Sequence, residues 1–419
     1  MNNTCRGENQ KVLRKGATVM AAAGVAALLL AACSSSPAPA SKSSSTGPVI
    51  LGLASPLTGG DPTEGKTEVA AVNDAAKYVN SHGGIDGRPL KVVVRDTGLT
   101  PTGAVTSLDS LTSAGAAAVL GEFTSTDTAA ACTAAMQQHE VVLGPASAAQ
   151  GLTHGKTYCF RDEYQVSQST GAMFAIAKSE GWKSIAVATD TTDFGIAENK
   201  SWVSLASHYG FHIAANVTWT APASSLTSQV LTIAHSGANA IFVGAALGPD
   251  ATLLAKTLVQ EGVNLPLFGP GGINDPGVPQ AAASSYDHLP LVANLTSYDS
   301  QVPQQTALFA KVQQQTGIPQ GGGDMPRYWE GVLILAAGLR KSHGVGGIAL
   351  VDALQSLGRF STVPWAGGPG SYVHYTAAHH SGLFGPHLFT VYKWDKSTNA
   401  FVVSSRFTSL ANTSGVTQG

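Results

Sequence analysis

Ala118-Val-Leu-Gly-Glu-Phe-Thr-Ser-Thr-Asp-Thr128 joins an apolar run to a cluster of small hydroxyl side chains and then to an alanine-rich segment. Residues 116–120 have the composition of a strand buried on both faces, and Gly121 ends it. After Glu122 and Phe123 come Thr124, Ser125, Thr126 and Thr128, and residues 129–136 read as a helix that Asp127 is placed to begin. Strand, polar turn and helix N-terminus together can hold a small polar or anionic group. The first-turn N–H groups have no intrahelical partner, and the hydroxyls add donors beside them. In an open α/β sheet such groups gather at the carboxyl ends of strands. An ordinary capped helix fits the same residues.

The surrounding chain alternates strand and helix. Residues 49–54 form a first buried strand, residues 69–79 a helix with Val69, Val72, Ala76 and Val79 on one face, and residues 90–94 a second strand. Past Arg161 the pattern begins again, with strands at 184–189, 213–219 and 240–243. Ser107-Leu-Asp-Ser-Leu-Thr-Ser-Ala-Gly-Ala-Ala-Ala-Val-Leu-Gly121 and Ser228-Gln-Val-Leu-Thr-Ile-Ala-His-Ser-Gly-Ala-Asn-Ala-Ile-Phe-Val-Gly244 share one design. In each, an amphipathic helix stops at a small-residue turn and an apolar strand ends at glycine. The expected fold is α/β: two Rossmann-like lobes with parallel sheets and a ligand cleft between them.

The N-terminus reads as an address. Arg6, Lys11, Arg14 and Lys15 precede an apolar stretch over 17–32, the layout of a signal peptide. Leu30-Ala-Ala-Cys33 resembles the bacterial lipobox, which implies cleavage before Cys33 and lipid on its sulfur; residues 33–47 then form a flexible tether. In an exported protein Cys132 and Cys159 are candidates for a disulfide, with two buried thiols as the alternative. Charged residues make up 12% of the 419 and the formal net charge is −2, so no basic stripe exists to engage nucleic acid.

Several stretches, in order, resemble the type I periplasmic solute-binding proteins, specifically the branched-chain amino-acid (leucine-binding) family of ABC importer receptors. These are Pro56-Leu-Thr-Gly59, Asn80-Ser-His-Gly-Gly-Ile-Asp-Gly-Arg-Pro-Leu-Lys91, Val94-Arg-Asp96, the opening stretch, Gly144-Pro-Ala-Ser147, Tyr158-Cys-Phe-Arg161, Asp193-Phe-Gly195 and Phe268-Gly-Pro270. The resemblance implies a three-segment hinge with crossings near Gln165, Asn294 and Ser361. Lobe 1 is then 48–164 plus 294–360, and lobe 2 is 165–293 plus 361–419. It implies a lipid-anchored receptor at the extracytoplasmic face that closes on a small solute and hands it to a permease and its ATPase, without cofactor or catalysis.

Carried over by position, the resemblance puts the carboxylate-holding hydroxyl at Ser125, with Thr126 beside it, and further donors at Ala146, Ser147 and Ala148. Phe194 becomes the closing aromatic and Ala246 a second-lobe contact. The family's ammonium-binding acid falls on Gly271, so Glu64 or Asp275 must replace it, or the ligand carries no free ammonium. Phe123, Tyr164, Phe194 and Trp329 are candidates for an apolar wall. His374, His379, His380 and His387 crowd one loop, read as polar surface of the second lobe rather than a metal site. A sensor of the same fold, and more distantly an exported hydrolase, are the alternative functions; no nucleophile elbow or zinc motif is present.

Overall fold

The computed structural model describes residues 47–274, 292–318, 324–361, 367–398 and 400–413. In the first lobe, β1 (Val49–Ser55), α1 (Pro62–Ser81), β2 (Leu90–Asp96), α2 (Pro101–Ser113), β3 (Ala116–Leu120), α3 (Ser125–Gln138), β4 (Val142–Gly144) and β5 (Cys159–Arg161) follow one another. They build a parallel sheet ordered β2-β1-β3-β4-β5. Leu51, Leu53, Ala118, Leu120 and Leu143 are fully buried, which is why these runs carry no polar alternation. Cys132 of α3 and Cys159 of β5 are joined in a disulfide inside this lobe.

The second lobe repeats the plan. After α4 (Val166–Ser179) come β6 (Ser184–Asp190), α5 (Asp193–Tyr209), β7 (His212–Trp219), α6 (Thr227–Ala234), β8 (Ala240–Gly244), α7 (Gly248–Gln260), β9 (Leu267–Gly269) and β10 (Val292–Thr296). The order β7-β6-β8-β9-β10 matches that of the first sheet strand for strand. The small-residue turns seen in the sequence are equivalent too: Gly115 (φ +81°) and Gly237 (φ +74°) both take the left-handed conformation between helix and strand. The chain then returns to the first lobe with α8 (Pro303–Thr316), α9 (Met325–Lys341) and α10 (Gly347–Gln355), α8 and α9 packing on α1. A short hairpin, β11 (Tyr372–Val373) and β12 (Leu383–Phe384), precedes β13 (Thr390–Asp395), β14 (Ala400–Val403) and α11 (Ser405–Thr413), which packs on α4.

Three expectations need correction. The second sheet is not wholly parallel, because β13 and β14 add an antiparallel edge beyond β10. The helix after β3 starts earlier than expected: Thr124 is the cap, its Oγ1 accepting from Asp127 N–H at 3.2 Å, and Asp127 lies in the first turn. The third crossing is not at Ser361. Arg161 N–H donates to His380 carbonyl at 2.9 Å and Gly382 N–H to Arg161 carbonyl at 3.2 Å, so this segment runs beside β5. An edge strand offers unpaired backbone groups, and 380–382 meets them. The chain joins the second sheet only at β13. His380 therefore belongs to the first lobe, stacked on Phe160 with ring centroids 4.0 Å apart. Among the described residues no His, Cys, Asp or Glu group has the arrangement of a metal site.

Candidate functional site: a cleft between the strand ends

The carboxyl ends of β1, β3, β4 and β5 face those of β6, β8, β9 and β10, and a cavity of about 70 Å³ lies between them. Drug-sized pockets are several times larger, about 300 Å³ upward, so this one suits a small solute. Thr126 Oγ1 of α3 accepts from Asp193 N–H of α5 at 2.9 Å, a hydrogen bond that spans the cleft. The lobes are therefore closed on one another.

On the first lobe, Gly121 (φ +126°) makes the turn that aims α3. A Cβ there would sit 2.3 Å from the Ala54 carbonyl oxygen, so glycine is required. Thr124 and Ser125 then reach the cleft at the N-terminus of α3, where the helix supplies unpaired N–H groups. Ser125 Oγ accepts from Ala149 N–H at 3.2 Å, which leaves its hydroxyl proton to donate. The opening loop is pinned by Asp96, which accepts from Leu57 N–H at 3.0 Å and Thr58 N–H at 3.1 Å. Burial opposes that charge, but hydrogen bonds from Thr58, Gly98 and Leu57 outweigh it and hold the Asp96 carboxyl below its usual range. The loop ends at Asp61, which caps α1 by accepting from Glu64 N–H at 3.3 Å and presents Glu64 to the cleft.

On the second lobe, the carboxylate of Asp190 gathers two loops. It accepts from Thr192 N–H at 3.0 Å and from Ala246 N–H at 2.6 Å, placing Phe194 and Ala246 on the cleft wall. Burial raises its pKa, and those bonds oppose the rise. Gly271 opens the turn after β9 with φ +74°; a Cβ there would lie 2.7 Å from the Ala245 carbonyl oxygen and 2.7 Å from Phe194 Cε1. The ring of Phe194 thus fills the space that a side chain at Gly271 would need.

The hinge contributes more than the sequence showed. Glu163 and Tyr164 follow β5, Tyr298 follows β10, and Asp324 precedes α9; all four line the cleft. Glu163 accepts from Tyr164 N–H at 2.8 Å and pairs with the buried Arg327 at 3.1 Å. Burial pushes its carboxyl up to about 8, against the pull of Arg327. Arg327 also donates to the carbonyls of Asp162 and Pro145, so the hinge strand and the loop after β4 are tied to α9.

Of the residues expected at the site, Ser125, Ala146, Ala148, Phe194, Ala246, Gly271 and Glu64 line the cleft. Thr126 is the cross-cleft acceptor. Ser147 is fully buried and turned inward, its Oγ 2.5 Å from Thr128 Oγ1 and donating to Thr124 carbonyl at 3.4 Å. Trp329 lies elsewhere, in a groove between α1 and α8, where its ring is 5.1 Å from that of Tyr78 and its Nε1 donates to Asp74 at 3.4 Å. Asp275 and Cys33 lie outside the described residues. Glu163 and Asp324 are the carboxylates that sequence reading missed. The one adjoins Tyr164, and the other follows the Gly321-Gly-Gly323 run in the sequence.

A family model described as "Periplasmic binding protein" matches residues 48–399. A leucine-, isoleucine-, valine-, threonine- and alanine-binding protein of Pseudomonas aeruginosa is 23% identical over 76% of this chain and 84% of its own length. The solved branched-chain amino acid transporter substrate binding protein of Streptococcus pneumoniae, in complex with isoleucine, superimposes with a TM-score of 0.71 at 20% identity, covering 85% of this chain and 100% of that one. A type 1 periplasmic binding protein of Bordetella pertussis gives 0.74 at 17% identity, covering 85% and 99%. With two equivalent lobes closed over a solute-sized cleft, and a family match across most of its length, the chain belongs to the periplasmic binding proteins and has the fold of their type 1 members.

Proposed function

We propose that the protein is the extracytoplasmic substrate-binding lipoprotein of an ABC importer, capturing an amino acid or a related small polar solute by hinge closure. The observation that carries this reading is the cleft itself. Hydroxyl and helix N-terminal donors at Thr124 and Ser125 and carboxyl groups at Glu64, Glu163 and Asp324 border one space that only a small molecule can fill. Closure would bury the solute and fix the lobes in one relative orientation, and a permease with its ATPase would read that orientation. Cys33, in its lipobox-like setting, would carry the lipid that keeps the protein at the membrane face. Among the described residues lining the cleft no histidine stands beside Ser125, and the Ser125 Oγ meets a backbone N–H rather than a base, which favours binding over hydrolysis.

A thermal-shift screen against amino acids, amines, small carboxylates and amides tests the reading. A solute present at about 100 times its Kd raises stability by about 2.7 kcal/mol, an easily measured shift. Melting unchanged by every solute counts against it. For the anchor, Cys33→Ala in a bacterial host should release the protein from the membrane fraction; retention there contradicts lipidation at Cys33.

A further inference from the structure

We propose that the end of the first lobe remote from the cleft rests on the surface of the lipid bilayer, through the turn between α9 and α10 that carries Val345 and Ile348. This rests on lipidation of Cys33 as proposed above, and adds a second contact to that anchor.

Val345 and Ile348 are 56% and 54% exposed, more than any other large apolar side chain among the described residues. One exposed apolar residue is ordinary on a protein surface. These two stand three residues apart on a turn that is held in place. Ser342 Oγ donates to the Val345 carbonyl at 2.7 Å, Val345 N–H to the Ser342 carbonyl at 3.1 Å and Gly344 N–H to the Leu339 carbonyl at 2.7 Å. His343 and Gly344 take the left-handed conformation, with φ +57° and +75°, and reverse the chain. Gly346 packs so closely on β3 that a Cβ there would lie 2.4 Å from the Ala117 carbonyl oxygen.

The turn stands at the root of the N-terminal segment. Arg88 Nε donates to the Gly47 carbonyl at 2.8 Å. A Cβ at Gly344 would meet the same guanidinium at 2.7 Å and Val49 Cγ2 at 3.0 Å. Gly47 is the first described residue, and residues 34–46 separate it from Cys33. A chain of that length and composition spans about 20 Å on average. Lipid on Cys33 would therefore hold this end of the lobe near the bilayer, where a weak contact is populated because it is intramolecular. Strands β1, β2 and β3 begin here, with Val49, Leu90 and Ala116, and the cleft lies at their other ends. Contact here leaves the cleft free to open and close.

Charge fits the same partner. Segments 82–91 and 339–348 meet where His343 Nδ1 lies 2.8 Å from the Asp86 carboxylate and Arg340 Nε donates to the Gly84 carbonyl at 2.8 Å. Together they contain Arg88, Lys91, Arg340 and Lys341 against one acid, Asp86, in a chain whose formal net charge is −2. An apolar tip rimmed by cations suits an anionic lipid surface: the tip enters the headgroup boundary and the cations meet phosphate. A second copy of the chain on this face would set cations against cations.

The full-length protein, lipidated in a bacterial host and reconstituted in phosphatidylcholine–phosphatidylglycerol vesicles, tests this with a bimane label at Val345→Cys or Ile348→Cys. Leu231→Cys, at an exposed position of α6 in the second lobe, is the control. With Cys33 lipidated and Cys132 bonded to Cys159, the label meets only the introduced thiol. Nitroxide-bearing lipids should quench the label at 345 and 348 and leave 231 bright. Val345→Asp should abolish the quenching at 348 without changing the melting temperature. Labels at 345 and 348 no dimmer than that at 231, in protein that stays with the vesicles, overturn the inference and leave the anchor standing. Quenching at 348 that survives Val345→Asp overturns it as well. Val345→Cys chains that crosslink to one another without lipid quenching give the turn to a second copy instead. Protein that does not stay with the vesicles refutes the anchor, and the inference falls with it.

Discussion

Gly271→Ala, read alone and in a Phe194→Ala background, probes the packing that sets the second-lobe wall. The backbone at Gly271 has φ +74°, and a Cβ there meets Phe194 Cε1 at 2.7 Å. Left-handed backbone costs an L-residue about 1–2 kcal/mol. Pushing Phe194 off its preferred rotamer adds about 0.5–1.5 kcal/mol. The single substitution should therefore destabilise the protein by about 1.5–3.5 kcal/mol in urea titration, by the sum of those two costs. In the Phe194→Ala background the ring is gone and its rotamer cost with it, while the backbone conformation and the Ala245 carbonyl stay, so the same change should cost about 0.5–1.5 kcal/mol less. The difference is the coupling between the two positions, and a double-mutant cycle isolates it. A neutral Gly271→Ala, or a cycle that adds without coupling, refutes the claim that Phe194 occupies the space of a side chain at this position.

Thr126→Val removes the acceptor that Asp193 N–H meets across the cleft. Loss of one such bond, about 0.5–1.5 kcal/mol, should weaken solute binding by roughly 2- to 12-fold, mainly as faster release in stopped-flow. Reduction of the Cys132–Cys159 disulfide, whose partners are 27 residues apart, should lower stability by about 3.5 kcal/mol on the chain-entropy account, seen as a lower urea midpoint. Glu198 is buried between α4 and α5, accepts from Ser169 Oγ at 2.9 Å and has its carboxyl raised by burial to about 8. The folded state prefers its neutral form, so this contribution is complete below the ordinary carboxylate range and is lost as pH rises toward 8 and beyond. Glu198→Gln should flatten the decline in stability between pH 5 and 9; an unchanged slope assigns the decline to other groups, such as Glu68, also raised to about 8.

Much of the architecture was legible because its causes are local. Buried strands such as Val49–Ser55 and Ala240–Gly244 are apolar runs closed by glycine or serine, and the repeated turn at Gly115 and Gly237 needs a left-handed residue in both lobes. The cleft residues that reading found, Ser125, Phe194 and Gly271, sit in turns directly after strands, where position along the chain fixes position in the fold. What escaped depends on segments meeting across the hinge. Glu163 and Asp324 are far apart in sequence and come together only because α9 returns to the first lobe and Arg327 ties it to β5. Trp329 was misplaced because helical spacing does not say which side of α9 meets the cleft; α1 and α8 claim that face. Ser147 carries the right chemistry, yet Thr128 and Thr124 use its hydroxyl inside the lobe. The late third crossing follows from an edge of β5 that needed a partner, a demand invisible in the short glycine-containing segment that supplies it.

The central claim is that a solute closes two lobes over the cleft at their strand ends. Small-angle X-ray scattering of the purified protein, alone and with saturating leucine or 3-methylbutylamine, addresses it most directly. The account predicts that whichever of these binds reduces the radius of gyration, with a bound-state profile matching the closed arrangement in which Asp193 meets Thr126. A solute that binds tightly in titration yet leaves the scattering profile unchanged, in a protein whose unliganded profile is not already that of the closed form, contradicts it.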